Sequence, residues 1–130
     1  MLTSFGAVVI GLGFFAWFDS SGRTSRPAQR PVTVPELSAE ARVGQQAFET
    51  HCALCHGPQA TGGPAGPALV DPIYRPAHHS DIAFTLAVRR GVRAHHFRLG
   101  DMPPQPSIAE TDVRNITRYV RELQKAQGIE

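Results

Sequence analysis

The five residues Cys52-Ala53-Leu54-Cys55-His56 constrain this chain most, because they hold both of its cysteines and one of its six histidines. Two cysteines three positions apart are typical of a redox dithiol, half of a structural zinc site, or a disulfide. A thioredoxin-type dithiol needs a βαβ setting and zinc needs a second pair of closely spaced ligands, and the sequence has neither pattern. A disulfide would leave the adjacent His56 without a role.

The complete motif Cys-x-x-Cys-His is explained by a single cofactor. Two thiols at this spacing at a helix end can each form a thioether with a vinyl group of haem. The imidazole of the next residue then lies under the iron as the proximal ligand. We therefore predict that Cys52 and Cys55 attach one haem c covalently and that His56 binds its iron.

A closed iron site needs a second axial ligand, and the sequence offers few candidates. Of the two methionines, Met1 begins an apolar N-terminal segment, which leaves Met102 in the proline-rich stretch Leu-Gly-Asp-Met-Pro-Pro. A thioether ligand favours reduced iron and so raises the reduction potential. His95 or His96 is the alternative, since bis-histidine ligation would give a lower potential.

The N-terminal part of the chain predicts a membrane segment and a tether. Residues 1–18 contain a run of seventeen uncharged, mostly apolar residues, which predicts a transmembrane anchor at the short end of the usual length range. A cleaved export signal is the alternative, because the small residues Ser20 and Gly22 follow the run. Residues 19–36 are rich in proline and hydroxyl side chains and predict an extended linker. Residues 37–130 remain for one small globular domain.

Apolar periodicity and capping residues predict an all-α domain with three main helices. The first helix begins after Ser38 and leads directly into Cys52. A glycine- and proline-rich loop follows the motif. Two further helices are predicted. One follows Ser80, with Ile82, Leu86 and, less strictly, Phe84 and Val88 as its apolar set, and one follows Thr111, with apolar residues at spacings of three and four.

These residues together resemble the class I c-type cytochromes, small monohaem electron carriers. Besides the haem motif, the resemblance includes Met102 and the loop at Pro67, and it implies the small class I cytochrome c fold, with glycine- and proline-rich loops around one covalent haem. It also implies that Gly44 lets the first and last helices cross closely, with Phe48 and Tyr119 meeting at the crossing. In that family the carbonyl of the residue matching Pro67 accepts a hydrogen bond from the proximal histidine.

The resemblance further implies an electron carrier, not an enzyme, with His56 and Met102 in both axial positions and outer-sphere transfer of single electrons. Its redox partners would be a quinol-oxidising complex, a terminal oxidase or a dehydrogenase. Haem attachment of this kind occurs on the exported side of the membrane, so we expect the anchored domain in the periplasm or an equivalent compartment. The arginines after the apolar run favour the opposite orientation under the positive-inside rule; they are Arg23, Arg26 and Arg30.

The histidine pairs His78-His79 and His95-His96 lie outside the family pattern and leave two alternatives open. An open sixth position would suit a haem enzyme or gas sensor, and a site built from the histidine pairs would suit a copper-handling module. The net charge of only +2 predicts no nucleic-acid partner. Four arginines before the methionine stretch could neutralise haem propionates or steer an acidic partner; they are Arg89, Arg90, Arg93 and Arg98.

Overall fold

A computed structural model describes residues 31–130 of the 130-residue chain. Within these residues the regular structure is helical and there is no β-strand. Val92 and Met102 form an isolated antiparallel bridge. The prediction of an all-α domain is therefore confirmed for this part of the chain. The α-helices are α1 (Ala39–His51), α2 (Ala53–His56), α3 (Asp81–Arg90) and α4 (Glu110–Ala126), with single 3₁₀ turns at Pro58–Ala60 and Pro72–Tyr74.

The predicted membrane helix in residues 1–18 lies outside the described residues, as does the first part of the predicted linker. From residue 31 onwards, no helix is long and apolar enough to cross a bilayer. The boundaries proposed for the anchor, the linker and the domain therefore stay predictions.

Helix α1 begins where the sequence predicts, because Ser38 has extended backbone angles and its side chain accepts a hydrogen bond from the N–H of Ala41. The N–H of Ser38 itself donates to the Glu122 carboxylate on α4 at 3.0 Å. Burial acts to raise the pKa of Glu122, but hydrogen bonds from Ser38 and Arg118 outweigh it and lower the pKa. The N-terminus of α1 is thus tied to a carboxylate that stays ionised at neutral pH.

Helices α1 and α4 cross at Gly44, which is buried. A Cβ at this position would lie 1.9 Å from the backbone oxygen of Asn115 and 2.3 Å from its carbonyl carbon. Nearby, the rings of Phe48 and Tyr119 meet with centroids 5.7 Å apart. The crossing organises the main buried cluster, which comprises Leu37, Ala41, Phe48, Ala60, Ile116, Tyr119, Val120 and Leu123.

Helix α3 packs with a different face from the one we expected. Ile82 is 61% exposed and Leu86 is 39% exposed, so the prediction that these two residues head the buried set is wrong. Phe84 and Val88 pack inward instead. Residues two apart on a helix point to nearly opposite sides, so when Phe84 and Val88 pack against clusters that contain α4 residues, Ile82 and Leu86 are left exposed. Gly91 ends the helix with φ of 71°.

Helix α4 begins at Glu110, slightly earlier than the predicted start after Thr111. Ala109 occupies the N-cap position without a capping side chain. Two acids in the first turn, Glu110 and Asp112, stabilise this end through the helix dipole. The apolar positions that predicted this helix are all buried; they are Val113, Ile116, Val120 and Leu123.

We expect Gly44→Ala to lower the free energy of unfolding by about 3 kcal/mol, the upper end of what overpacking costs. The added methyl group would overlap the Asn115 backbone, which cannot move aside as a flexible side chain could. Chemical denaturation of both variants measures the effect. The control is Gln46→Ala on the exposed face of α1, for which a change of less than about 0.5 kcal/mol is expected. Equal stability of the two variants would contradict the close crossing.

Candidate cofactor site

The two cysteines lie at the junction where α1 ends and the one-turn helix α2 carries the chain to His56. The N–H groups of Cys55 and His56 both donate to the carbonyl of Cys52, at 3.1 Å and 2.9 Å. The two cysteines are not joined in a disulfide, and both are half-buried. Burial and the neighbouring Cys55 raise the pKa of Cys52 to about 11. Reactive dithiols have a lowered cysteine pKa, so this environment disfavours the redox-dithiol interpretation.

The orientation of His56 is set by a hydrogen bond between its Nδ1 and the carbonyl oxygen of Pro67, at 2.9 Å. A carbonyl oxygen only accepts, so Nδ1 carries the proton and Nε2 keeps its lone pair for a metal. Burial lowers the pKa of His56, with the Pro67 bond acting weakly in the opposite direction, so the imidazole is neutral at pH 7. Gly66 permits this contact, because a Cβ there would lie 2.9 Å from Nδ1 of His56.

Met102 is held in place through its own backbone. Its N–H and its carbonyl both form 2.9 Å hydrogen bonds with Val92, and a Cβ at Gly91 would lie 2.4 Å from the Met102 carbonyl oxygen. The half-buried Met102 side chain packs against a second buried cluster, formed by Val88, Ile108 and Val113. The methionine therefore lies on a segment fixed on two sides, by the backbone bridge and by the core.

His56, Pro67 and Met102 line the same largely apolar cleft. The alternative ligands His95 and His96 also line it, but their side chains are exposed, whereas Met102 is half-buried. Cys52 and Cys55 lie in the turn directly before His56, outside the lining of the cleft. The remaining lining residues are Leu69, Tyr74, Val92, Ala94, Phe97, Leu99 and Gly100.

The family model for cytochrome c matches residues 41–124. The chain belongs to the cytochrome c family. Members of this family hold haem c covalently, and both of the cysteines that attachment requires are present in the described structure. The donors fit this cofactor, since a neutral imidazole with a free Nε2, a thioether and an apolar cleft occur together. The individual roles of Cys52, Cys55, His56, Pro67 and Met102 stay predictions.

Two known proteins of related sequence are similar to this cytochrome. The chain is 31% identical over 105 residues to the Cbb3-type cytochrome c oxidase subunit CcoP of Rubrivivax gelatinosus, covering 78% of this chain and 31% of that subunit. It is similar to the crystal structure of cytochrome CL from Methylophaga aminisulfidivorans, with a TM-score of 0.52 and 30% identity over 63% of this chain and 51% of the other. The chain thus spans about a third of the length of the oxidase subunit.

Two polar residues of α4, which we did not predict from the sequence, hold one wall of the cytochrome's cleft. Arg121 donates to the carbonyl of Tyr74 at 2.8 Å, to the carbonyl of His79, and to the Asp81 carboxylate at 2.8 Å. The buried Gln124 amide donates to the same Tyr74 carbonyl at 3.2 Å and to a neighbouring loop carbonyl at 2.8 Å. The only sequence signal was their i, i+3 spacing, which does not distinguish buried polar residues from exposed ones.

Two of the four arginines before Met102, Arg89 and Arg98, lie in different surroundings. Arg89 donates to the carbonyls of Pro106 and Ile108, at 3.0 Å and 2.9 Å, and so braces the segment that leads into α4. Arg98 lies beside Pro67 on a pocket next to the cleft. Arg89 therefore has a structural role as well, and the electrostatic role expected of the four arginines stays a prediction.

The histidine pairs lie close to one another in this cytochrome. The rings of His95 and His96 have centroids 4.2 Å apart, and His96 lies 5.3 Å from His79 and 5.8 Å from His78. Partial desolvation, followed by the neighbouring His95, His79 and His78, lowers the pKa of His96. At neutral pH its imidazole is uncharged.

We expect Arg121→Gln to destabilise the folded cytochrome by about 2 kcal/mol, because it removes charge-assisted hydrogen bonds to two backbone carbonyls. Denaturant titration measures the loss. The matched control on the same helix is Arg114→Gln, whose ion pair with Glu110 is at the surface; exposed pairs contribute at most about 1 kcal/mol. Equal losses in the two variants would mean that Arg121 does not brace the cleft wall.

Proposed function

We propose that this chain is a monohaem c-type cytochrome that passes single electrons between membrane-associated redox partners on the exported side of the membrane. The observation that carries the proposal is that His56, with its Nδ1 committed to the Pro67 carbonyl, lines one cleft together with Met102. The relatives support the same class of function, since one is named as an oxidase subunit and the other as a cytochrome.

Each of the predicted site residues then has one role. Cys52 and Cys55 would form the two thioethers, and His56, through Nε2, and Met102, through sulfur, would hold the iron. When bound, haem c supplies one-electron chemistry between ferric and ferrous iron. With His56 and Met102 both holding the iron, the protein would leave no ligand position for a substrate, and the bound group would exchange electrons with a docked partner.

Met102 is held in place more firmly than His95 and His96, which favours Met102 as the second ligand of the iron. Met102 is held by two backbone hydrogen bonds and by packing against the core, and these restraints lower the entropy cost of presenting its sulfur. The bond from Nδ1 of His95 to the Arg93 carbonyl at 2.8 Å would leave its Nε2 free for a metal as well, but His95 and His96 are exposed and belong to neither buried cluster. A thioether ligand also gives the higher reduction potential that suits a carrier feeding an oxidase.

The hydrogen bond from His56 to Pro67 tunes the iron from the proximal side. It holds the imidazole in the tautomer whose Nε2 is free, and it increases the basicity of that nitrogen. The apolar lining of the cleft excludes water, which limits reorganisation when the charge of the iron changes. These residues therefore set the potential without taking part in bond making or breaking.

The proposed domain organisation places this cytochrome close to membrane partners. Residues 1–18 are the anchor, residues 19–36 the linker and residues 37–130 the haem domain. A proline-rich linker of this length spans about 55 Å in the polyproline II conformation, so the domain stays at high effective concentration near the bilayer. The relative named as an oxidase subunit supports a terminal oxidase as the partner. A quinol-oxidising complex and a dehydrogenase are the other candidates.

We expect Met102→Ala to abolish the far-red sulfur-to-iron absorption band of the ferric protein and to lower the reduction potential. The reason is that removing the thioether withdraws the ligand that favours reduced iron. Optical spectroscopy and potentiometric titration of the full-length protein measure both effects. The reduced variant should also bind carbon monoxide rapidly, because its sixth position is open.

Two comparison variants make this experiment decisive. Leu99→Ala removes another side chain from the cleft lining and should keep the far-red band. His95→Ala tests the rival ligand and should likewise keep it. An unchanged far-red band and an unchanged reduction potential in Met102→Ala would contradict the assignment of Met102 as an iron ligand. Rapid carbon monoxide binding by the unmodified reduced protein would count against a carrier and in favour of a haem enzyme or gas sensor.

A further inference from the structure

Three imidazoles converge at one edge of the haem domain. His78 and His79 come from the loop that precedes α3, and His96 comes from the stretch that precedes Met102. One ring nitrogen from each residue lies within 4.8 Å of those of the other two. Two nitrogens bound to one tetrahedral ion lie about 3.3 Å apart at usual bond lengths. Small side-chain rotations would therefore bring all three nitrogens of this histidine cluster onto one ion.

His79 already has the hydrogen bond that metal-binding histidines usually make with the ring nitrogen that does not bind the metal. Its Nδ1 is bonded to the carbonyl oxygen of Ile73 at 2.8 Å, so the proton is on Nδ1 and Nε2 keeps its lone pair. The carbonyl of His79 in turn accepts a hydrogen bond from Arg121. His79 is thus fixed in position and in tautomer by two contacts, as His56 is by Pro67.

The ligand chemistry of the histidine cluster limits which ions it can take. Its three ligands are imidazoles without a carboxylate among them, and the nearby Asp81 carboxylate is paired with Arg121 at 2.8 Å. Magnesium and calcium require oxygen ligands, whereas imidazole suits copper, zinc and nickel. Among divalent first-row ions, copper binds a given nitrogen site most tightly.

We propose that His78, His79 and His96 form a site for one divalent transition-metal ion, with Cu(II) bound most tightly. The site adjoins the haem cleft, because His96 belongs to both and Tyr74, a cleft residue, has its ring 4.9 Å from that of His79. A bound dication there adds positive charge beside the cofactor, which disfavours the more positive ferric state. Metal binding is therefore coupled to the reduction potential of the haem.

Titration of the full-length, haem-loaded ferric protein with Cu(II) alone tests the site. We expect calorimetry to show that one equivalent of Cu(II) binds. The electron paramagnetic resonance spectrum of the bound copper should show splitting from imidazole nitrogens. In the triple variant His78→Ala, His79→Ala, His96→Ala the affinity should fall by about 100-fold or more, since the loss of an outer-shell partner alone costs up to about 100-fold. The control, His51→Ala, removes an exposed histidine from the end of α1 and should bind as the unmodified protein does.

Unchanged affinity in the triple variant would overturn the proposal, and so would an equal loss in His51→Ala. The unmodified protein provides a test that does not depend on how the variant folds: a copper spectrum without nitrogen splitting, or binding only after haem removal, also overturns it. Magnesium at the same concentration should not compete with copper. Effective competition by magnesium would show an oxygen-ligand site and contradict the imidazole assignment.

Zinc tests the coupling, because it binds imidazole and has no redox chemistry of its own. Saturating Zn(II) should raise the reduction potential of the unmodified haem protein and leave that of the triple variant unchanged. An unchanged potential in the zinc-saturated unmodified protein would refute the coupling to haem. The experiment is independent of the carrier proposal, since Met102→Ala changes iron ligation while the histidine cluster remains intact.

Discussion

The close crossing of α1 and α4 at Gly44 is the constraint on which the rest of the domain depends. With a backbone oxygen of α4 occupying the space that a side chain would need, the two helices approach near enough for Phe48 and Tyr119 to meet. This contact fixes the direction of α1, and α1 ends where the Cys-x-x-Cys-His turn begins. The position of the haem motif against the core therefore follows from a steric condition at a single glycine.

Helix α4 also supports the opposite side of the cleft, through polar side chains. Arg121 and Gln124 donate to backbone carbonyls of the loop that carries Tyr74 and His79. The loop has backbone hydrogen bonds of its own, such as those from Tyr74 to Asp71 and from His79 to Arg75, and the donors on α4 tie it to the core. The same contacts orient a cleft wall and one of the clustered histidines, which links the haem site to the proposed metal site.

Two predictions from periodicity show where sequence patterns succeed and fail. The apolar stripe of the seventeen-residue α4 keeps one face from Val113 to Leu123, and the positions that predicted it are buried. The ten-residue α3 carries apolar residues on two faces. We expected the face of Ile82 to be buried, but it is exposed. A short helix with two possible faces is oriented by its neighbours, and the distance to those neighbours is not encoded in the local pattern.

The sequence alone was sufficient for the helical class, the family resemblance and the cofactor, because thioether chemistry needs a fixed local spacing that Cys52, Cys55 and His56 display. It also narrowed the second axial ligand to Met102, His95 and His96 by composition. Only the tertiary structure brought Met102 and His56 to one cleft, engaged Arg121 with distant carbonyls, and gathered His78, His79 and His96 from two segments. Local chemistry can be read from neighbouring residues, whereas contacts across many residues exist only once the core has positioned the loops.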